Sequence, residues 1–218
     1  MSECCERPGY QTIFNDRLAR RIVRSYRKRG LSETQLRMVS FLTERGIQDA
    51  SVLEIGGGVG DLQVELLRRG ARAATNLEIS AGYEAEAASL LKQSGMADRV
   101  TRRLLDIATA PEEVEAADVV VLHRVVCCYP DYERLLAAAA RHARRLVVFS
   151  HPPRNLFSRA LLSCENALHR LRGSEFRAFV HPPAAMIAAV EAQGLSVSYR
   201  HRGFSWDIVG LERVAPAI

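Results

Sequence analysis

Three carboxylates stand at regular places in the first half of this chain. Glu54 sits two residues before a glycine-rich turn, Gly56-Gly57-Gly58-Val59-Gly60, while Glu78 closes Asn76-Leu77-Glu78-Ile79 and Asp106 closes Leu104-Leu105-Asp106-Ile107. Each acid ends a short apolar run. Glycines at 56, 58 and 60, placed between a strand pattern and a helix pattern, let a ligand approach backbone that carries no Cβ. In a doubly wound sheet such a turn lies at the carboxyl end of a strand, where ligands bind. The spacing is G-x-G-x-G rather than the G-x-G-x-x-G of dinucleotide binders. A carboxylate at 54 would repel a pyrophosphate and suits a cationic ligand.

Glu78 follows Glu54 by 24 residues and ends the second strand pattern, the place from which a carboxylate accepts hydrogen bonds from both ribose hydroxyls. Asp106, ending the third, could accept from an adenine amino group. Helix capping accounts for any one acid at a strand end, but capping alone does not explain three acids after three successive strands.

A second constellation follows the fourth strand pattern: His123-Arg124-Val125-Val126-Cys127-Cys128-Tyr129-Pro130. His123 is the base candidate, because an imidazole titrating near 6.5 suits proton transfer at neutral pH; the competing reading is a histidine that packs or hydrogen-bonds to a ligand. Tyr129 is placed to orient a substrate or to pack under Pro130. His151, in Ser150-His151-Pro152-Pro153, follows the fifth strand and is either a third catalytic candidate or a turn residue. His181 reads as part of a helix start. The five cysteines form no C-x-x-C pair, so neither zinc nor any other resident metal is expected. Cys127-Cys128 could join Cys4-Cys5 around a soft metal or metalloid substrate, against the common reading of cysteines that pack.

The elements that position these residues alternate. Strand patterns cover 51–55, 73–79, 100–105, 119–122 and 146–150, with helix patterns at 61–69, 81–93 and 132–142. A helix at 184–192 precedes two further strands, 195–201 and 204–214, joined by a turn at Arg202-Gly203. The fold class expected is α/β: a doubly wound, mostly parallel seven-stranded sheet with an antiparallel edge hairpin. Phe14, Leu18, Ile22 and Tyr26 recur every fourth residue on one amphipathic helix ended by Gly30. Ser32 and Gln35 read as a capping box opening a second helix, which carries Leu36, Val39 and Leu42. These two helices make an N-terminal cap, 1–48, on one domain of 1–218. After the fifth strand an inserted helix, 154–172, breaks the alternation. Its stripe of Phe157, Leu161, Cys164, Leu168 and Leu171 has heptad spacing, and the segment 152–180 is read as a lid or, through that stripe, a dimer interface.

The series VLEIGGGVG, LEIS, LLDI and DVVVLHR resembles the motif series of the class I, Rossmann-like S-adenosylmethionine-dependent methyltransferases, over about residues 50–150. The resemblance implies S-adenosylmethionine as cofactor and methyl transfer as activity. It places cofactor contacts on Glu54, Gly56, Gly57, Gly58 and Gly60, on Glu78 and Ile79, and on Asp106 and Ile107, with His123 beside the methionine portion. The inserted helix and the closing Gly-Phe-Ser-Trp segment are similar to small-molecule methyltransferases of the magnesium-protoporphyrin type. No substrate is carried over from that likeness; the apolar faces of the inserted helix and the N-terminal helices, with Arg154, Arg159, Arg170 and Arg172 nearby, suit a small acceptor that is partly apolar and could be anionic, taking the methyl on oxygen, nitrogen or carbon by in-line displacement. The alternatives are a cyclase using the sulfonium charge, and a thiol or metalloid methyltransferase using the paired cysteines.

Composition agrees with a globular enzyme: 218 residues, 48% hydrophobic and 25% charged, with a net charge of +5. A chain of this length can bury a sizeable core without disulfides. The basic excess is concentrated in Arg17, Arg20, Arg21, Arg24, Arg27, Lys28 and Arg29, read as a solvated helix face. No aromatic residues interleave with it, and no N/D-P-P-Y-type tetrad follows the fourth strand, so a nucleic-acid partner is not expected. No apolar run approaches the roughly 20 residues of a membrane span, and the polar first ten residues lack a signal-peptide core. The expectation is a cytoplasmic protein without a membrane partner.

Overall fold

The structure, a computed structural model, describes residues 9–214. Seven strands form one sheet: β1 (Ser51–Ile55), β2 (Ala73–Glu78), β3 (Val100–Leu104), β4 (Ala117–Leu122), β5 (Ala143–His151), β6 (Leu195–His201) and β7 (Asp207–Arg213). Their order is β3-β2-β1-β4-β5-β7-β6. The first five are parallel, and β7 is antiparallel to both β5 and β6. The order reverses at β1, which pairs with β2 on one side and β4 on the other, so a cleft opens at the carboxyl ends of these strands. This is the doubly wound, mostly parallel fold with an antiparallel edge hairpin that the sequence predicts.

Local chemistry explains the element ends. Val119, Val120, Val121 and Leu122 are all fully buried, as expected of a central parallel strand covered on both faces. The Ser32–Gln35 capping box forms and opens α3 (Glu33–Glu44). α4 (Asp61–Arg68) starts directly from Gly60, and α5 (Glu84–Ser94) ends on Gly95 in the left-handed region. Together with α3, these helices cover one sheet face in a core that includes Met38, Leu42, Leu62 and Leu66. On the other face α6 (Tyr132–Arg141) and α8 (Pro183–Glu191) cover a core that includes Leu136, Phe149, Met186 and Val190.

Three sequence expectations are corrected. The first helix is not continuous. α1 (Tyr10–Ile13) stops at Phe14, and α2 (Asp16–Arg29) starts anew because the Asn15 side chain accepts from the Arg17 and Leu18 amides at 3.1 Å. Its core face is Ala19, Val23 and Tyr26, so Phe14, Leu18 and Ile22 are released to line a cavity. In α3, Leu36 is exposed while Met38 takes a core position. The last strand begins at Asp207 rather than 204, because residues 202–206 make a wider turn in which the Gly203 amide donates to the Asp207 carboxylate at 3.1 Å. The inserted helix, α7 (Leu156–Leu171), does stand outside the core. Ser158 is its only buried residue, and Phe157, Leu161 and Leu168 of its stripe are exposed.

Candidate active site

The glycine turn closes over β1 in a backbone conformation that side chains resist. Gly56, Gly58 and Gly60 have φ of +63°, +54° and +81°, the left-handed region open to glycine without penalty. Gly57 is needed for space. A Cβ there would lie 2.7 Å from Glu54 Oε2 and would also strike Asn76. On the opposite side, a Cβ on Gly56 would lie 2.7 Å from Val125 Cγ2. The turn is therefore clamped between β1 below and the segment after β4 above.

A cavity of about 880 Å³ opens beside it, near the upper end of the roughly 300–1,000 Å³ usual for small-molecule sites. Gly56, Gly57 and Gly58 line it, as do Glu78, Ile79, Asp106 and Ile107. His123, Arg124, Cys128 and Tyr129 enter from the β4 side, and Tyr10, Phe14, Leu18 and Ile22 wall it from α1–α2.

Glu78 is fixed by three backbone amides: Gly58 at 3.0 Å on Oε2, Ile79 at 2.8 Å and Ser80 at 3.1 Å on Oε1. Burial raises its carboxyl above the usual range, against the pull of those donors. Through the Gly58 amide the acid is tied to the glycine turn, so the two move as a unit. Asp106 accepts from the Tyr129 hydroxyl at 2.9 Å and from the Ala108 amide at 3.0 Å. Tyr129 is thus engaged with the third acid. Its carbonyl is in turn 3.0 Å from His181 Nε2, which sits directly before the helix start it was expected to join.

The resemblance also places a cofactor contact on Glu54. It is buried under Gly57, does not line the cavity, and leaves Oε2 without a hydrogen-bond partner among the described residues. Gly60 likewise lies off the cavity wall and acts as the entry to α4. Register places Glu54, Asn76 and Arg102 side by side across β1, β2 and β3. Asn76 Oδ1, Arg102 Nη1 and the nearby Gln63 Nε2 are also buried without partners among the described residues. Arg102 Nη2 donates to the Gly58 carbonyl at 2.9 Å and pairs with Glu84 at 2.7 Å. This polar row supports the turn from beneath. Burial, with Asp61 nearby, pushes the Glu54 carboxyl well above the usual range. The acid that does face the cavity is Asp61, which accepts from the Gln35 amide at 2.9 Å.

His123 and Arg124 share one anchor. The Ser150 hydroxyl lies 3.0 Å from His123 Nδ1 and accepts the Arg124 amide at 3.0 Å. Burial, and then the neighbouring guanidinium, lowers His123 to about 3. The ring is therefore neutral across the physiological range and a weak base. Arg124 has φ +59°, shared among non-glycine described residues only with Asp49, and such strained positions gather at functional sites. Its guanidinium stacks on Trp206 at 4.8 Å, and Trp206 lies 6.3 Å from the His123 ring.

His151 is not brought to the cavity. It is buried at the end of β5, where Nδ1 donates to the Pro152 carbonyl at 2.9 Å. The paired thiols of Cys127 and Cys128 lie 3.6 Å apart, with Cys128 alone lining the cavity; Cys4 and Cys5 lie outside the described residues. Among the described residues no group of three metal-ligand side chains occurs, and no helix is long and apolar enough to cross a membrane. No α7 residue lines the cavity. The inserted segment reaches the cap through Phe176, whose ring meets Tyr10 at 5.5 Å and Phe14 at 5.4 Å. Sequence reading missed Asp61 and Arg124 as cavity residues. Asp61 carried a signal, since it follows Gly60 directly at a helix first turn.

Residues 52–145 match the family described as a methyltransferase domain. The fold is shared with magnesium protoporphyrin IX methyltransferase of Synechocystis PCC 6803, solved with bound SAH, at 21% identity and a TM-score of 0.68 over 84% of this chain and 82% of that one. An O-methyltransferase family protein of Burkholderia thailandensis superposes at 19% identity and a TM-score of 0.71, over 93% of this chain and 60% of that one. Geranyl diphosphate C-methyltransferase of Streptomyces coelicolor A3(2) does so at 14% identity and a TM-score of 0.63, over 83% and 79%. No curated protein sequence matches the chain. The matched segment holds the glycine turn, Glu78 and Asp106, and the solved structures share the fold.

Proposed function

We propose that the cavity holds S-adenosylmethionine along β1–β3 and a small, partly apolar acceptor against α1–α2. The observation that carries this reading is Glu78, a buried carboxylate pinned by three amides, wired to the glycine turn and facing the cavity. Its remaining lone pairs suit the two ribose hydroxyls. Asp106, held by Tyr129, and the backbone at Ile107 meet the adenine. Gly56 to Gly58 let the cofactor lie against bare backbone, and the neutral His123 ring stands beside the methionine portion. Glu54 supports the turn from beneath rather than touching the cofactor.

Bound there, the cofactor supplies an electrophilic methyl group on a sulfonium. The protein contributes mainly position: holding acceptor and methyl carbon in line converts an encounter into an intramolecular step. Phe14, Leu18 and Ile22 offer an apolar wall for the acceptor, and the Phe176 contact closes that wall from outside. A site of this volume suits a small molecule rather than a polymer.

Calorimetric titration with S-adenosylhomocysteine tests the reading. The unaltered protein should bind it, and Glu78→Ala should weaken binding by about a hundredfold, near 2.7 kcal/mol at 1.4 kcal/mol per tenfold. Absence of binding by folded, unaltered protein would overturn the assignment.

A further inference from the structure

We propose that the exposed seam of α7 is the interface of a homodimer, in which α7 packs antiparallel against α7 of a second copy across a two-fold axis. This stands apart from the cofactor reading above.

The first argument is spacing. Phe157, Leu161, Cys164, Leu168 and Leu171 follow one another at intervals of four, three, four and three residues. That is the a/d repeat of one helix packed along another. The five span about 80° of the helix circumference, the narrow stripe of a helix pair rather than the face of roughly 100° or more that a helix turns to a core. The side of α7 that meets its own domain is a different one. There Ser158 is buried, and Leu162, Asn166 and His169 are half-buried. Asn166 exchanges two hydrogen bonds of 2.8 Å with the backbone of Ala178. The centre of the seam stands roughly 130° around the helix from that anchored side. α7 is thus docked on one face and carries a coiled-coil seam on another that is open.

The second argument is area. Phe157, Leu161, Leu168 and Leu171 are 44–83% exposed, and Phe204, whose ring meets Phe157 at 6.2 Å, is 87% exposed. Taking about 200 Å² for a fully exposed large apolar side chain, these five present on the order of 600 Å² per copy. A stable interface takes roughly 800 Å² from each partner. Cys164, Ala160 and Ala167, all exposed on or beside the seam, add to it, and the two alanines are small enough to let backbones approach.

The third argument is symmetry. A two-fold axis sets the same patch on both sides of the interface. No charged residue falls on the seam, so it meets its own copy without like charges along its length. Antiparallel pairing also lays the positive N-terminal end of one helix beside the negative C-terminal end of the other. Cys164, in the middle of the stripe, then faces Leu161 or Leu168 of the other copy, and the two thiols stand roughly 5 Å apart along the axis. The His169 ring meets Phe176 at 5.4 Å, and Phe176 meets Tyr10 and Phe14. Pairing therefore braces the segment that closes the cavity wall.

Sedimentation of the full chain across a concentration series tests this. The mass should approach twice the 24.2 kDa of one chain. Leu161→Glu combined with Leu168→Glu should weaken association by about a hundredfold or more, because it buries unpaired carboxylates. Both positions are exposed in the single chain, so the melting curve of the double variant, followed by circular dichroism, should show it folded. Arg159→Glu, a charge change off the seam, should leave the dimer intact. A short bis-maleimide should join two unaltered chains, and Cys164→Ser should remove that product. An unaltered chain that stays monomeric throughout the series overturns the proposal, as does a folded double variant that dimerises as well as the unaltered chain. A monomer that instead floats with phosphatidylglycerol vesicles overturns it too, since the seam then meets a lipid surface.

Discussion

The Tyr129 hydroxyl donates to Asp106 at 2.9 Å, tying the segment after β4 to the acid after β3 across the floor of the cavity. The sequence offered Tyr129 either as a residue that orients a substrate or as one that packs under Pro130; in the structure its hydroxyl engages Asp106. Tyr129→Phe should therefore act on the cofactor rather than on the chemical step. A hydrogen bond to a charged group is worth about 1.5–3 kcal/mol. We expect a loss of that size in urea unfolding, a several-fold weaker affinity for S-adenosylhomocysteine, and little change in kcat at saturating cofactor. A large fall in kcat with unchanged affinity would return Tyr129 to the chemistry.

Gly57 and Glu54 make a second pair of linked expectations. Gly57→Ala places a methyl group 2.7 Å from Glu54 Oε2, so it should cost about 1–3 kcal/mol of stability as overpacking and raise the dissociation constant for S-adenosylhomocysteine.

Glu54→Gln should do the opposite to stability, in a pH-dependent way. Burial raises the folded-state carboxyl well above its ordinary value of 4.5. The folded chain thus holds a proton that the unfolded chain releases, and this contribution to stability is full below about 4.5 and declines as pH rises. Without cofactor, the variant's melting temperature relative to the unaltered protein should be higher at pH 8 than at pH 5. Asp61 and Glu78 repel the ionised Glu54 carboxyl, so an uncharged amide in its place eases their ionisation too and acts in the same direction. A difference that stays flat or shrinks with rising pH refutes the argument.

His123 has the reverse sign. Its folded-state imidazole is lowered from 6.5 to about 3, so the unfolded chain takes up a proton first as pH falls. The unaltered protein should lose stability relative to His123→Asn between about pH 6.5 and pH 3, and the difference should be constant above 7. The same shift predicts that kcat/KM carries no histidine limb between pH 6 and 8. His123→Asn should cost about tenfold or less in kcat, against the 10²–10⁴ typical of a removed general base. A limb near 6.5 that disappears in the variant would restore His123 as the base.

Much of the scaffold was legible because it depends on local patterns. The run Val119-Val120-Val121-Leu122 can only be comfortable in a strand covered on both faces, and Ser32 with Gln35 caps a helix wherever it falls. Acids after strands mark the cleft because the sheet reverses at β1. What could not be read was direction. Glu54 and Ile55 are neighbours on one strand, so their side chains point to opposite faces, and spacing alone did not say which one meets the ligand. The stripe Phe14, Leu18, Ile22 and Tyr26 has the right period for a buried face, yet Asn15 restarts the helix and turns Ala19 and Val23 inward instead. Arg124 stood in the candidate segment after the fourth strand without a role, because the Trp206 that its guanidinium meets lies 82 residues further along the chain.

Among the described residues β7 is the last of the seven strands, and its place is between β5 and β6 rather than at the rim. A ribosome therefore releases every other strand before the sheet can close. Until residues 207–213 emerge, β5 presents an open edge beside the nascent cofactor cleft and β6 has no neighbour. Translation, not diffusion, sets how long those edges stay bare, and the growing polypeptide is an object for chaperones up to the moment this strand arrives.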